Sequence, residues 1–139
     1  MQETIGDLVV RLRHCRTLSE IQEACHAVSG EKDLRDLLIE VLGSSEMSIR
    51  WKAAVALTEL GPAAVERLIG CLSDSRAYVR SSAAWVLGNI GDARAAPALQ
   101  QHREDPSADV RKEATEALGK LKRVEHNGRN GTSGISVSA

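Results

Sequence analysis

The feature that most constrains this chain is a helical pattern that returns about every thirty residues. Ile49-Arg50, Val79-Arg80 and Val110-Arg111 open three segments offset by 30 and 31 positions. Three residues after each Arg stands Ala53, Ala83 or Ala114, seven after stands Leu57, Leu87 or Leu118, and ten after stands Leu60, Ile90 or Leu121. Steps of three, four and seven follow one face of an α-helix. One amphipathic helix therefore recurs in each unit, and such units bury their apolar stripes only by stacking.

Breakers punctuate the units where helices should end. Gly61-Pro62 and Gly91-Asp92 follow the last periodic residue, as expected for a C-cap and a new N-terminus. A second helix follows each, with Val65, Leu68, Ile69 and Leu72 on its apolar face in one unit and Ala96 and Leu99 in the next, after one extra turn residue. Polar breaks at Ser44-Ser45, Ser73-Asp74-Ser75 and Asp105-Pro106-Ser107 separate the units and carry side chains able to cap the following helix. Small residues at Ala53, Ala54, Ala83, Ala84 and Ala114 permit close helix approach. The predicted fold is all-α, a right-handed α-α superhelix forming a short solenoid.

Ile49-Arg50 with Ala53, Ala54 and Leu57, and above all Val79-Arg80 through Ala83-Ala84-Trp85-Val86-Leu87-Gly88-Asn89-Ile90-Gly91-Asp92, resemble the short HEAT-like repeats of the phycobilisome lyase type. The resemblance covers Glu46 to Leu121. It implies an all-helical superhelix commonly used for protein binding, and in some members a domain or subunit of an enzyme.

The ends depart from the pattern. A HEAT-like helical domain is expected over 1–122, with a divergent N-terminal cap at 1–45 and clear repeats at 46–122. The cap holds an amphipathic helix from Thr4 to Cys15, through Ile5, Leu8, Val9 and Leu12, and a degenerate pair at Ser19–Ser29 and Lys32–Leu42. Residues 123–139, rich in Gly, Ser and Asn, read as a disordered tail. The last helix, Ser107 to about Lys122, turns Lys112, Glu113, Glu116 and Lys120 outward. That favours a solvent-facing cap and a monomer, with a homo-oligomer as the alternative.

Composition narrows function by exclusion. Eighteen basic and nineteen acidic residues leave a net charge of -1, so no global field gathers nucleic acid or an anionic membrane. No apolar run reaches membrane-spanning length. Cys15, Cys25 and Cys71 lie within helical patterns, which reads as reduced thiols and a cytoplasmic setting. No Gly-x-Ser-x-Gly elbow, P-loop or dinucleotide fingerprint occurs. Nor does a His-Glu pair of the kind used by metal-dependent hydroxylases built on HEAT-like repeats. His14-Cys15 and Cys25-His26 offer soft metal ligands, but a turn near Arg16 to Leu18 sets Cys25 roughly 10 Å beyond it along the helix. Glu104-Asp105 fall in a polar turn, where solvation is the ordinary explanation. The expectation is no catalytic, cofactor or metal residue, and a protein that is not an enzyme.

Binding surfaces remain. Arg50, Arg80 and Arg111 form a ladder that reads as a turn-to-helix contact in preference to a phosphate grip, and the Lys120, Lys122, Arg123 cluster is small for nucleic acid. Trp51, Val55 and Trp85 lie opposite the core position of their own helices. They are either anchors for a partner or rings lying flat between neighbouring first helices. The second helices would present Glu66, Arg67, Gln100, Gln101, His102 and Arg103, a mixed polar surface suited to a protein or peptide. These features predict a protein-protein interaction module or small scaffold. The alternatives are a non-catalytic or chaperone-like component of a bilin lyase or other enzyme and, more weakly, a nucleic-acid-binding module.

Overall fold

Two threonine-led capping boxes begin the chain's architecture. Thr4 and Asp7 exchange bonds at the start of α1 (Ile5–His14), and Thr17 and Glu20 do the same for α2 (Leu18–His26). In this computed structural model residues 4–28 and 30–137 are described, without the side chains of 31, 32 and 125–137. The path continues through α3 (Glu31–Val41), α4 (Met47–Leu60), α5 (Val65–Cys71), α6 (Ala77–Ile90), α7 (Ala96–Gln101) and α8 (Ala108–Val137). Short 3-10 turns at Gly61–Ala64, Ala93–Ala95 and His102–Glu104 link the later helices. The fold is the expected all-α right-handed superhelix. Helices α4, α6 and α8 stack in one layer, with α3, α5 and α7 packed against them in turn.

The periodic residues form the core. Ile49, Ala53 and Leu57, then Val79, Ala83 and Leu87, then Val110, Ala114 and Leu118 are all buried. Helices α4 and α6 end on Gly61 (φ 65°) and Gly91 (φ 78°), a left-handed backbone that a side chain would strain. Where α6 meets α8, a Cβ on Gly88 would lie 2.7 Å from the Ala117 Cα. That contact sets how closely the two helices approach.

The repeat helices are anchored differently from the first two. Neither α4 nor α6 has a side-chain N-cap. Instead Ser44 Oγ, Asp74 Oδ1 and Asp105 Oδ1 accept from the amide two residues ahead, at 3.2, 2.9 and 2.9 Å. The repeated arginine then reaches back: Arg50 Nη1 donates to Ser44 O at 2.9 Å, Arg80 to Asp74 O at 2.8 Å and Arg111 to Asp105 O at 2.7 Å. The arginine ladder is thus spent on turn carbonyls.

A second arginine stitches one unit to the previous one. Asp74 and Asp92 each hold the arginine two positions on, Arg76 and Arg94. Those guanidiniums reach Gly43 O and Pro62 O of the preceding unit, at 3.2 and 3.1 Å. The last turn has Ser107 at the matching place. Its Asp105 instead receives Arg80 from the unit before, through two bonds of 3.0 Å, and contacts His102 Nδ1 at 3.0 Å. Asp105 is therefore buried, not solvated as its turn position predicts. Burial would raise its carboxyl, but the bonds from Arg80, the Ser107 amide and His102 outweigh that and hold it well below the usual carboxylate range.

α8 continues to Val137, past the boundary expected at Lys122. Extending a helix already nucleated orders one residue per bond, which is easier than starting one.

Because Asp105 has a depressed folded-state pKa, its contribution is present above about pH 4 and fades as pH falls further. Asp105→Asn should lower stability by about 2 kcal/mol at neutral pH and flatten the acid limb of a urea-midpoint profile. Gly88→Ala should lower the thermal midpoint, although alanine is about 1 kcal/mol the better helix former.

Candidate functional site

Each arginine clasp fixes the rotation of its helix, so the one or two residues after it face one side of the α4-α6-α8 layer: Trp51, then Ser81 and Ser82, then Lys112 and Glu113, whereas Lys52 turns to the α1 carbonyls of Leu12 and Arg13. Together with Met47, Arg50, Ala54, Trp85 and Asp109 they line a groove of about 380 Å³. That is within the range of clefts holding small ligands or side chains.

Trp51 and Trp85 meet across α4 and α6 with ring centroids 4.8 Å apart and planes tilted by 60°. Trp85 is half-buried and packs on the core, whereas Trp51 remains 53% exposed. The Lys120 ammonium lies 5.9 Å from the Trp85 ring and donates to Asn89 Oδ1 at 3.2 Å. Arg50 is tied to the Ser44 carbonyl and lies 4.6 Å over the Tyr78 ring. Asp109 and Glu113 enter no hydrogen bond or ion pair within the described residues. Burial, then the charges of Glu116 and Asp109, push the Glu113 carboxyl upward against the opposing Lys112 and Lys120.

The structure brings together two of the sequence-predicted contact residues, Trp51 and Trp85, and places Val55 half-buried outside the groove's lining. The second-helix set lies elsewhere. Glu66 accepts from Arg94 at 3.3 Å, Arg67 pairs with Asp36 at 3.5 Å, and Arg103 donates to Gln100 at 3.4 Å. His102 is held by Asp105, while Gln101 is exposed. Sequence reasoning missed Ser81, Ser82, Asp109 and Glu113 as groove residues. The signal was the repeat register itself, which places the serines and Glu113 one or two residues after an aligned arginine.

Among the described residues, no three or more His, Cys, Asp and Glu side chains gather closely enough to hold a metal ion. Cys15 and Cys25 are buried, and burial, then Cys15, pushes the Cys25 thiol up to about 11, away from the thiolate that binds metals. No helix among the described residues is long and apolar enough to cross a membrane.

A family model for HEAT repeats matches residues 34–119, more than half of the chain. The chain belongs to the HEAT repeat family. It is also 32% identical to deoxyhypusine hydroxylase of Candida albicans over 101 residues, 65% of this chain and 32% of that protein. The structure of human deoxyhypusine hydroxylase in complex with glycerol superposes with a TM-score of 0.59 at 28% identity, covering 88% of this chain and 44% of that one. The chain thus spans about a third of the curated relative.

These relatives overturn two expectations. The chain was read as a non-catalytic interaction module or scaffold and as no enzyme, yet the proteins it resembles are enzymes. The error has a physical source: stacked helices advertise a binding surface, whereas activity depends on a few side chains set upon them. The donor set of a metal-dependent hydroxylase does not fit the described residues, so no catalytic step through a metal is assigned to them.

The two indoles should separate in stability. Trp85→Ala should cost about 2 kcal/mol or more by emptying a half-buried contact, and Trp51→Ala less than about 1 kcal/mol, as read from urea unfolding.

Proposed function

We propose that this chain serves a deoxyhypusine hydroxylase-like reaction as the part that receives the lysine-derived side chain. The observation carrying this reading is the 28% identity to the human enzyme over 88% of this chain, at a TM-score of 0.59. Deoxyhypusine is a lengthened, flexible amine side chain, and a groove walled by indoles and carboxylates suits such an arm. The partner is then a protein or peptide bearing the modified lysine, met by a monomeric chain. Three free cysteines support a cytoplasmic setting. Within the HEAT family we assign the repeats to the phycobilisome lyase type, on the segment Ala83 to Asp92.

A peptide carrying deoxyhypusine should bind the purified chain at least about fivefold more tightly than the same peptide with lysine, as measured by fluorescence anisotropy. Equal affinity for both peptides would overturn this reading.

A further inference from the structure

Each helix of the α4-α6-α8 layer presents the same register positions to the helix that follows it. On α6 these are Arg80, Ala84 and Gly88. Ala84 and Gly88 are buried there, and a Cβ on Gly88 would come within 2.7 Å of the Ala117 Cα of α8. On α4 the matching residues are Arg50, Ala54 and Thr58, with Ala54 buried and Thr58 half-buried. One repeat further on, the positions fall on Arg111, Thr115 and Gly119 of α8. Nothing among the described residues covers them. Arg111 and Thr115 are exposed, and a Cβ on Gly119 would meet only the end of the Arg123 side chain, at 3.7 Å. Lys112 and Glu113 stay clear of this face, because they line the groove.

The uncovered face is already set for a carboxylate. Arg111 Nη1 donates to Asp105 O at 2.7 Å and Pro106 O at 3.1 Å, the pose that Arg80 Nη1 takes on Asp74 O and Ser75 O, at 2.8 and 3.1 Å. In that pose Arg80 turns its Nε and Nη2 edge to the following turn, where Asp105 accepts both through bonds of 3.0 Å. The same edge of Arg111 bonds to nothing among the described residues. A guanidinium held in place by one nitrogen loses little freedom on pairing, and its planar fork meets a carboxylate with two bonds at once. Beside it, the Thr115 hydroxyl donates to Arg111 O at 2.8 Å, as Thr58 does to Ala54 O at 2.9 Å inside the stack. Thr115 therefore needs no outside hydrogen-bond partner, and with Gly119 it leaves room for a second helix to come close.

We infer that the face of α8 formed by Arg111, Thr115 and Gly119 docks a helix of a partner protein, with Arg111 taking a carboxylate from the turn ahead of that helix. This face is separate from the groove and does not rest on the hydroxylase-like reading. The partner's chemistry follows from the α6-α8 contact, where Asp105 meets Arg80, and Ala117, twelve residues later, meets Gly88. The fitting partner has Asp or Glu in a turn and a small residue at the same interval along the helix that follows. A second copy of this chain does not fit. Its turn acids Asp74, Asp92 and Asp105 are already held by arginines, and two α8 faces would set Arg111, Lys122 and Arg123 against one another. Nucleic acid would engage those cations but has no need of the close approach at Gly119.

The segment that fits α6 serves as the probe: a labelled peptide copying residues 102–122, held helical by a hydrocarbon staple across positions 115 and 119, on the side away from its own Ala117. Added to the full chain, it should raise fluorescence anisotropy saturably. An Asp105→Asn peptide of matched helicity should bind at least about tenfold more weakly. On the full chain, Gly119→Leu enters open space and should fold as the wild type by circular dichroism, yet bind the peptide at least about tenfold more weakly. Arg111→Lys, which keeps the charge and loses the fork, should also weaken binding. A peptide that displaced the chain's own α8 from α6 would not sense Gly119→Leu. Absence of saturable binding, wild-type affinity in the Gly119→Leu chain, or equal affinity of the Asp105→Asn peptide would each overturn the inference. Displacement of the peptide by single-stranded RNA would reassign the face to nucleic acid and overturn it as well.

Discussion

Every repeat of this solenoid depends on an arginine that folds back six residues to a turn carbonyl. Buried or half-buried carbonyls at the junction between helices need donors, because the last turn of a helix leaves its own acceptors unmatched. A guanidinium supplies several in one rigid plane. With Arg50, Arg80 and Arg111 fixed in this way, the rotation of each first helix is set, the Ala and Leu positions turn inward, and the following one or two residues turn toward the groove. Core and site thus share one register.

That register explains what was legible in the sequence. The repeat period, the glycine stops and the small residues along one face report local geometry, and they fixed the helices from α4 to α7 closely. Long-range pairing was not legible. Asp105 reads as a solvated turn acid until the structure places Arg80 of the previous unit against it. The reason is visible only by comparing turns: where Asp74 and Asp92 have an arginine two residues later, Asp105 has Ser107. The groove was half legible. Trp51 and Trp85 stood out by side-chain size, whereas Asp109 and Glu113 resembled the ordinary polar face of a terminal helix.

The relation to deoxyhypusine hydroxylases changes how that face is understood. A HEAT solenoid offers the same backbone to scaffolds and to enzymes, and the distinction rests on which side chains occupy the positions beside each clasp. Here those positions carry indole, hydroxyl, ammonium and carboxylate groups on the stacked helices α4, α6 and α8, and no set of metal donors accompanies them among the described residues.

The Asp105 bridge has a consequence for how such a protein can change length. A unit whose Asp-x-Arg turn satisfies itself can be duplicated or removed with that aspartate still paired, losing the carbonyl it borrows from its neighbour and exposed pairs such as Arg94 with Glu66. Arg80 and Asp105 belong to different units, and cutting between them would strand a guanidinium that is only 14% exposed. The junction between α6 and α8 is therefore a closed seam, while the junctions before it remain open to insertion and loss over evolutionary time.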